Sequence, residues 1–419
     1  MFATRRISLA LGMLTLLMML VSPAAATAKP ATSLKAAFVR GGDLWIQTNS
    51  GEQQLTKGEY IRNPKWSFDG EWIAYTRGQE EREVWIWHIS TGQSHLVSKE
   101  GGGNFQWSPE HNRLAFLVEQ KLYWIKVDHP DKPTEVSRGL GNYSWLPDGN
   151  GFIASSAAEL LPEGWTPVSI VEIPLRGEIE HNQAKTLYEL PGQSDDNFVV
   201  GTSVFKFSAT GKWIAFFVTP TASLSADSNT LCILSSDGAF FKRIDLMVHN
   251  SDWFAWADRG DKLAYIGGVG REATSNKQLK VLEFPSGKPV SYTPGGYVDQ
   301  NFTWEGEQHI VVSRAAEWKG AGQPGQSATK PLPNLVEIKL QGPRFKPLTQ
   351  PPKQFGDFNP QFLPSVHQLA WVRSDRNKSD VLISGQGGKH PSVWIKNIDL
   401  GADFYEQWRW SSVLNFYGR

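Results

Sequence analysis

One cysteine, Cys232, stands in 419 residues. An intramolecular disulfide is therefore impossible, and the C-x-x-C pairs of structural metal sites are absent. The nine histidines are scattered, the closest pair being His88 and His95, with no H-x-x-x-H. No transition-metal centre is expected, and nothing in the chain calls for a cofactor. The Gly-Lys-Ser/Thr phosphate loop is missing, and the glycine-rich stretch at 267–275 opens no helix. No G-x-S-x-G pentapeptide supplies a nucleophile elbow. Neither sign of charge dominates, with 42 basic and 42 acidic side chains. That balance argues against nucleic acid or an anionic membrane as partner.

Long apolar runs are also lacking, with one exception. Arg5 and Arg6 precede an apolar stretch from Ile7 to Val21, and Ala26-Thr27-Ala28 follows as a small-x-small cleavage site. This is the layout of a secretory signal peptide over residues 1–28. Fifteen helical residues span roughly 22 Å, short of the roughly 30 Å needed for a membrane anchor. Export to the periplasm, the cell envelope or the medium is expected, with residues 29–419 as one domain and no membrane span once the signal is removed.

What the chain has in quantity is tryptophan (18), glycine (39) and proline (25). Their placement repeats. "NPKWSFDGEWIAYTR", from Asn63, is matched by stretches anchored on Trp107, Trp145, Phe207, Trp256, Trp304 and Phe362, with Trp410 as an eighth anchor, at spacings of 38 to 62 residues. Each unit reads as a short strand ending in the aromatic, a turn that often holds Asp-Gly, and a second strand with a small residue, as in Ile73-Ala74-Tyr75. An alternating third strand follows, as at 84–89 and 393–398, and a fourth closes the unit. A period near 50 with four strands predicts a β-propeller of four-stranded antiparallel blades. The head of the chain, from residue 36, reads as strands two to four of a blade, and 406–412 as its missing first strand. A C-terminal strand would then close the ring at eight blades. If 406–412 extends the last blade instead, there are seven.

The W-S-x-D-G-x-x-I-A pattern of Trp66 to Ala74 resembles the propeller repeats of TolB and TolB-like exported proteins, and those of prolyl-oligopeptidase-type peptidases. The resemblance covers nearly all of 35–419 and implies the fold. TolB carries an α/β domain ahead of six blades, and the peptidases carry a hydrolase domain. Neither has room here, so no role is transferred from them.

Three sets of residues are candidates for binding. Asn63, Asn104, Asn142, Asn301 and Asn359 each stand three residues before an anchoring aromatic. They form either a polar ring at the channel mouth or caps for the turns entering their strands. Arg40, Arg77, Arg314 and Arg373 share a register at the end of strand two, with Arg271 in a neighbouring loop. They form either a basic arc or local ion pairs. Trp165 and Trp318 sit in unusually long connections between strands two and three, either as exposed anchors or folded onto their own loops. No catalytic residue is assigned. The sequence predicts a monomeric, noncatalytic module for a protein partner or a cell-wall or extracellular glycan, with a channel-mouth polysaccharide hydrolase or lyase as the competing reading.

Overall fold

The computed structural model describes residues 34–175, 184–192, 198–320, 329–342 and 344–417; the segment 1–28, expected to be a signal peptide, lies outside them. Eight antiparallel sheets follow one another as the blades of a single ring. Blade 2 shows the grammar, running from the axis outward as Ile61–Trp66, Trp72–Arg77, Glu83–His88 and Ser94–Ser98. The inner and second strands of the next five blades are Phe105–Trp107 with Arg113–Val118, Leu140–Trp145 with Gly151–Ser156, Lys206–Phe207 with Trp213–Thr219, Phe254–Trp256 with Lys262–Gly267, and Tyr297–Glu305 with His309–Ala316. Blade 8 comprises Gly356–Leu363, Gln368–Ser374, Ser379–Gly385 and Lys389–Ile398.

The second strands are buried on both faces, which is why they are continuously apolar. The aromatics after the small residue (Phe38, Tyr75, Phe216, Tyr265, Trp371) have no exposed surface. They fill the space between sheets, each contributing about 1.5–3 kcal/mol by burial. In the first turn of blade 2, Asp69 accepts hydrogen bonds from Ser67 Oγ (2.6 Å) and Glu71 N (3.0 Å), and Gly70 takes φ +70°. These contacts explain the Ser-x-Asp-Gly spacing.

Two expectations need correction. The strand that completes blade 1 is Leu414–Tyr417, paired antiparallel with Lys35–Arg40. It is not 406–412, because Trp410–Ser412 forms a 3-10 turn. The eighth anchoring aromatic is accordingly Phe416, opposite Ala36, and not Trp410. In blade 8 the stretch 393–398 belongs to the fourth strand. The turn at 375–378 is short, so Ser379–Gly385 takes third place.

Candidate functional site

In six of the eight blades the residue just before the anchoring aromatic reaches sideways to the next blade; the exceptions are Ala255 and Gln361, which line the channel. Lys65 Nζ donates to Phe105 O (2.8 Å), Gln106 Nε2 to Tyr143 O (2.9 Å) and Lys206 Nζ to Phe254 O (2.9 Å). Ser144 Oγ accepts from Phe205 N (2.8 Å), Thr303 Oγ1 from Phe362 N (3.1 Å) and Asn415 Oδ1 from Trp66 N (3.0 Å). The anchors answer in the opposite direction. The indoles of Trp66, Trp107, Trp145, Trp256 and Trp304 donate to the carbonyls of Asn415, Lys65, Gln106, Lys206 and Ala255 at 2.8–3.2 Å. Neighbouring blades are thus stitched in both directions around the channel, each bond adding about 1 kcal/mol. Where the anchor is Phe207, Phe362 or Phe416, the indole stitch is lost.

In sheets ordered this way, connections between strands two and three, and between blades, emerge on one face. Over that face runs a strap, residues 399–413, on its way from blade 8 to the closing strand. Asp399 accepts from Gly41 N (2.7 Å) and Gly42 N (2.9 Å) and pairs with Arg62 (3.3 Å). Glu406 pairs with Arg376 (2.9 Å) in the blade 8 loop. Gln407 Nε2 donates to Arg271 O (2.8 Å) and Tyr405 O accepts from Ala273 N (3.0 Å), both in the blade 6 loop. Ser411 Oγ donates to Asp252 Oδ2 (2.9 Å), at the entry to blade 6. Trp408 and Trp410 stack within the strap and are buried.

Two hollows adjoin along the channel, and Lys206, Asp252 and Ser411 of the strap line both. Under blades 6, 7, 8 and 1 lies a cavity of about 460 Å³, lined by Asn301, Thr303, Asn359, Gln361 and Asn415. Along blades 2 to 5 lies a cleft of about 880 Å³, lined by Lys65, Asn104, Gln106, Asn142 and Lys206. Arg409, on the exposed side of the strap, borders this cleft. Burial pushes the Lys65 ammonium down to about 8, against an opposing pull from Asp252. Burial lowers Lys206 too, with the same opposition. At the rim, burial and the charge of Arg409 lower His249. Asp252 is the one carboxylate among the described residues lining the cleft. No cluster of potential metal ligands occurs among the described residues.

Three of the asparagines have left-handed backbone, with φ of 56° at Asn63, 30° at Asn301 and 49° at Asn359. They lie where the register of the inner strand shifts, at bulges rather than at turns. Asparagine is the side-chain-bearing residue that best tolerates this geometry. All five line one or other half of the channel. Asn104 Nδ2 donates to Asn142 Oδ1 (2.6 Å), and Asn63 Nδ2 to Glu81 (2.9 Å).

The arginines are placed differently. Arg40 pairs with Glu52 (2.7 Å), Arg77 with Glu59 (3.6 Å) and Arg271 with Asp227 (3.3 Å). Arg373 pairs with Asp357 (2.7 Å), and Arg314 with Asp299 (2.7 Å), whose carboxylate is fully buried. Burial raises the Asp299 carboxyl while Arg314 holds it down. Each of the five guanidinium groups therefore has a local carboxylate. Trp318 lies half-buried on its own loop with Lys330 Nζ 5.1 Å above the ring. Trp165 is half-buried in a small hairpin with Leu160–Leu161, and the leucines are the exposed members. The lysines of the channel wall were not among the sequence candidates. Their signal is a lysine immediately before the anchoring aromatic, as at Lys65-Trp66 and Lys206-Phe207.

No family model and no curated protein matches the chain. Solved structures do. The dihydro-heme d1 dehydrogenase NirN, in complex with DHE, is 12% identical with a TM-score of 0.57, over 89% of this chain and 75% of that one. A prolyl endopeptidase is 13% identical with a TM-score of 0.52, over 82% of this chain; the match spans 50% of that longer chain. TolB from Acinetobacter baumannii is 14% identical with a TM-score of 0.36, over 88% and 65%. At these identities the likeness to NirN and the endopeptidase establishes the fold alone. The chain is an all-β, eight-bladed propeller closed by its C-terminal strand.

Proposed function

We propose that this protein is an exported, noncatalytic binding module of the cell envelope or extracellular space, and that its protein or glycan ligand docks at the open half of the channel mouth. The observation that carries the reading is an open cleft beside a tied-down strap. The strap is bonded to blades 6, 8 and 1, while the cleft beside blades 2 to 5 stays accessible and has a volume typical of ligand sites. A rigid ring holds the loops around that cleft in fixed positions, which lowers the entropy cost of binding. Acid–base hydrolysis of a glycan needs two carboxylates facing the substrate; Asp252 faces the cleft alone among described residues and is held by Ser411. Residues 1–28 supply the export signal.

Gly103 provides the test. It lines the cleft, and a Cβ built there meets no atom within 4 Å. Gly103→Trp therefore sets an indole at the cleft from a backbone position that accepts a Cβ. Wild type and Gly103→Trp are compared for capture of proteins and glycans from envelope extract and culture medium. The expected result is loss of most specific capture by the variant at unchanged unfolding midpoint. Equal capture by the two overturns the reading.

A further inference from the structure

We infer that the open cleft is built for an acidic oligosaccharide, with carboxylates of the sugar set against Lys65, Lys206 and Arg409; this deepens the preceding proposal and rests on it.

The argument begins with charge accounting. On the long-loop face, each of Arg40, Arg77, Arg271, Arg314 and Arg373 has a carboxylate within 4 Å. Lys65, Lys206 and Arg409 form no ion pair among the described residues, although Asp252 acts on both lysines at longer range. Lys65 and Lys206 donate to backbone carbonyls, and each ammonium keeps at least one proton beyond those bonds. Three cations thus border a cleft that contains one carboxylate, Asp252, already engaged by Ser411. Unpaired ammonium groups in a partly desolvated wall are costly. An anionic ligand would remove that cost, and Lys65 and Lys206 belong to blades 2 and 5, so they present charge from separate parts of the wall.

The rest of the wall selects a sugar over a peptide. It presents the amides of Asn104, Gln106 and Asn142, the hydroxyls of Ser144 and Thr202, and the indoles of Trp107 and Trp145. Beyond the bonds these amides make to one another and to Tyr143 and Thr202, Asn104 and Asn142 each keep one amide proton and Gln106 keeps its carbonyl oxygen, which match sugar hydroxyls. The electron-rich faces of aromatic rings pack on the C–H faces of pyranose rings. Besides the two tryptophans, the apolar lining is Pro109, Pro147, Val204, Phe205 and Phe207, with no leucine, isoleucine or methionine. The volume of about 880 Å³ holds several sugar rings.

Calorimetry on the whole chain tests this with tetragalacturonate as the probe. Its carboxyl-reduced counterpart and pentaglutamate are the controls. Tetragalacturonate should bind, weakening as salt is raised, and the two controls should bind at least tenfold less well, a difference of about 1.4 kcal/mol. Lys65→Gln and Lys206→Gln should each weaken the binding about tenfold. Arg409→Ala should weaken it roughly threefold without disturbing the fold, since no hydrogen bond or ion pair of its side chain is lost. The inference is overturned by absent binding, by equal binding of the reduced sugar, by equal or tighter binding of pentaglutamate, or by unchanged affinity in all three variants. Loss of capture in Gly103→Trp together with any of these results leaves the docking reading standing and removes the acidic sugar alone.

Discussion

The two halves of the ring are made from the same inner-strand grammar and put it to different use. In the half under the strap, polar groups are consumed. Arg314 is locked to Asp299, Arg373 to Asp357 and Arg376 to Glu406, and the long loops of blades 6 and 7 are tied by Lys330 to Glu272 (2.7 Å). In the half formed by blades 2 to 5, amides bond to one another, but Lys65 and Lys206 make no direct ion pair with a described carboxylate and feel only the more distant Asp252, and the cleft stays open. The difference teaches that a symmetric scaffold acquires a single-sided site by covering part of itself.

The sharpest way to break this comparison is to remove a cation from the covered half. Arg314→Met leaves Asp299 fully buried without its partner, and about 3–5 kcal/mol of stability should be lost. Urea unfolding at pH 7 reads the loss directly, and a change below 1 kcal/mol would mean that the covered half is not sealed. Next in size is the stitching of the open half. Trp107→Phe deletes the indole bond to Lys65 O, and the same measurement should register about 1 kcal/mol.

A third expectation uses pH. Lys65 titrates at about 8 when folded against an ordinary 10.5, and the buried Lys277, under the strap, also falls to about 8 through desolvation, with Glu272, Asp227 and Glu317 opposing. Between these values the unfolded chain binds more protons than the folded one, so stability should rise with pH from about 8 to 10.5. Lys65→Gln and Lys277→Met should each remove part of the rise. Tetragalacturonate should flatten only the share due to the open half, because it holds Lys65 charged. The smallest effect is expected from Arg77→Ala, which opens a half-exposed pair at 3.6 Å and should change stability by about 0–1 kcal/mol.

The blade repeat was legible because its physics is local. An aromatic ends the inner strand, Asp-Gly turns the chain, and a small residue lets sheets approach. Trp66, Trp107 and Trp256 occupy the places their spacing predicts. The closing strand was harder to place. Gln407 to Ser412 mimics an inner strand in composition, yet Trp410 turns into the core beside Phe358 while Phe416 takes the anchoring position. The strap has no periodicity, so nothing in 399–413 announces that it crosses the mouth. The arginines were legible as a shared register, but their carboxylates come from other strands, and only pairing geometry brings Asp299 and Asp357 opposite Arg314 and Arg373. The asparagines were legible as a pattern, while the bulges that favour them were not.

The closure of blade 1 has a kinetic consequence. Asn415 meets Trp66 across 349 residues of sequence. Such a contact carries a heavy loop-closure cost and is expected to form late. Until then the second strand of blade 1 carries an unpaired edge, and the sheets beside it have no complete neighbour. Assembly should therefore be slow and cooperative at its last step, and once the clasp is shut, opening it means giving up one whole sector at a time.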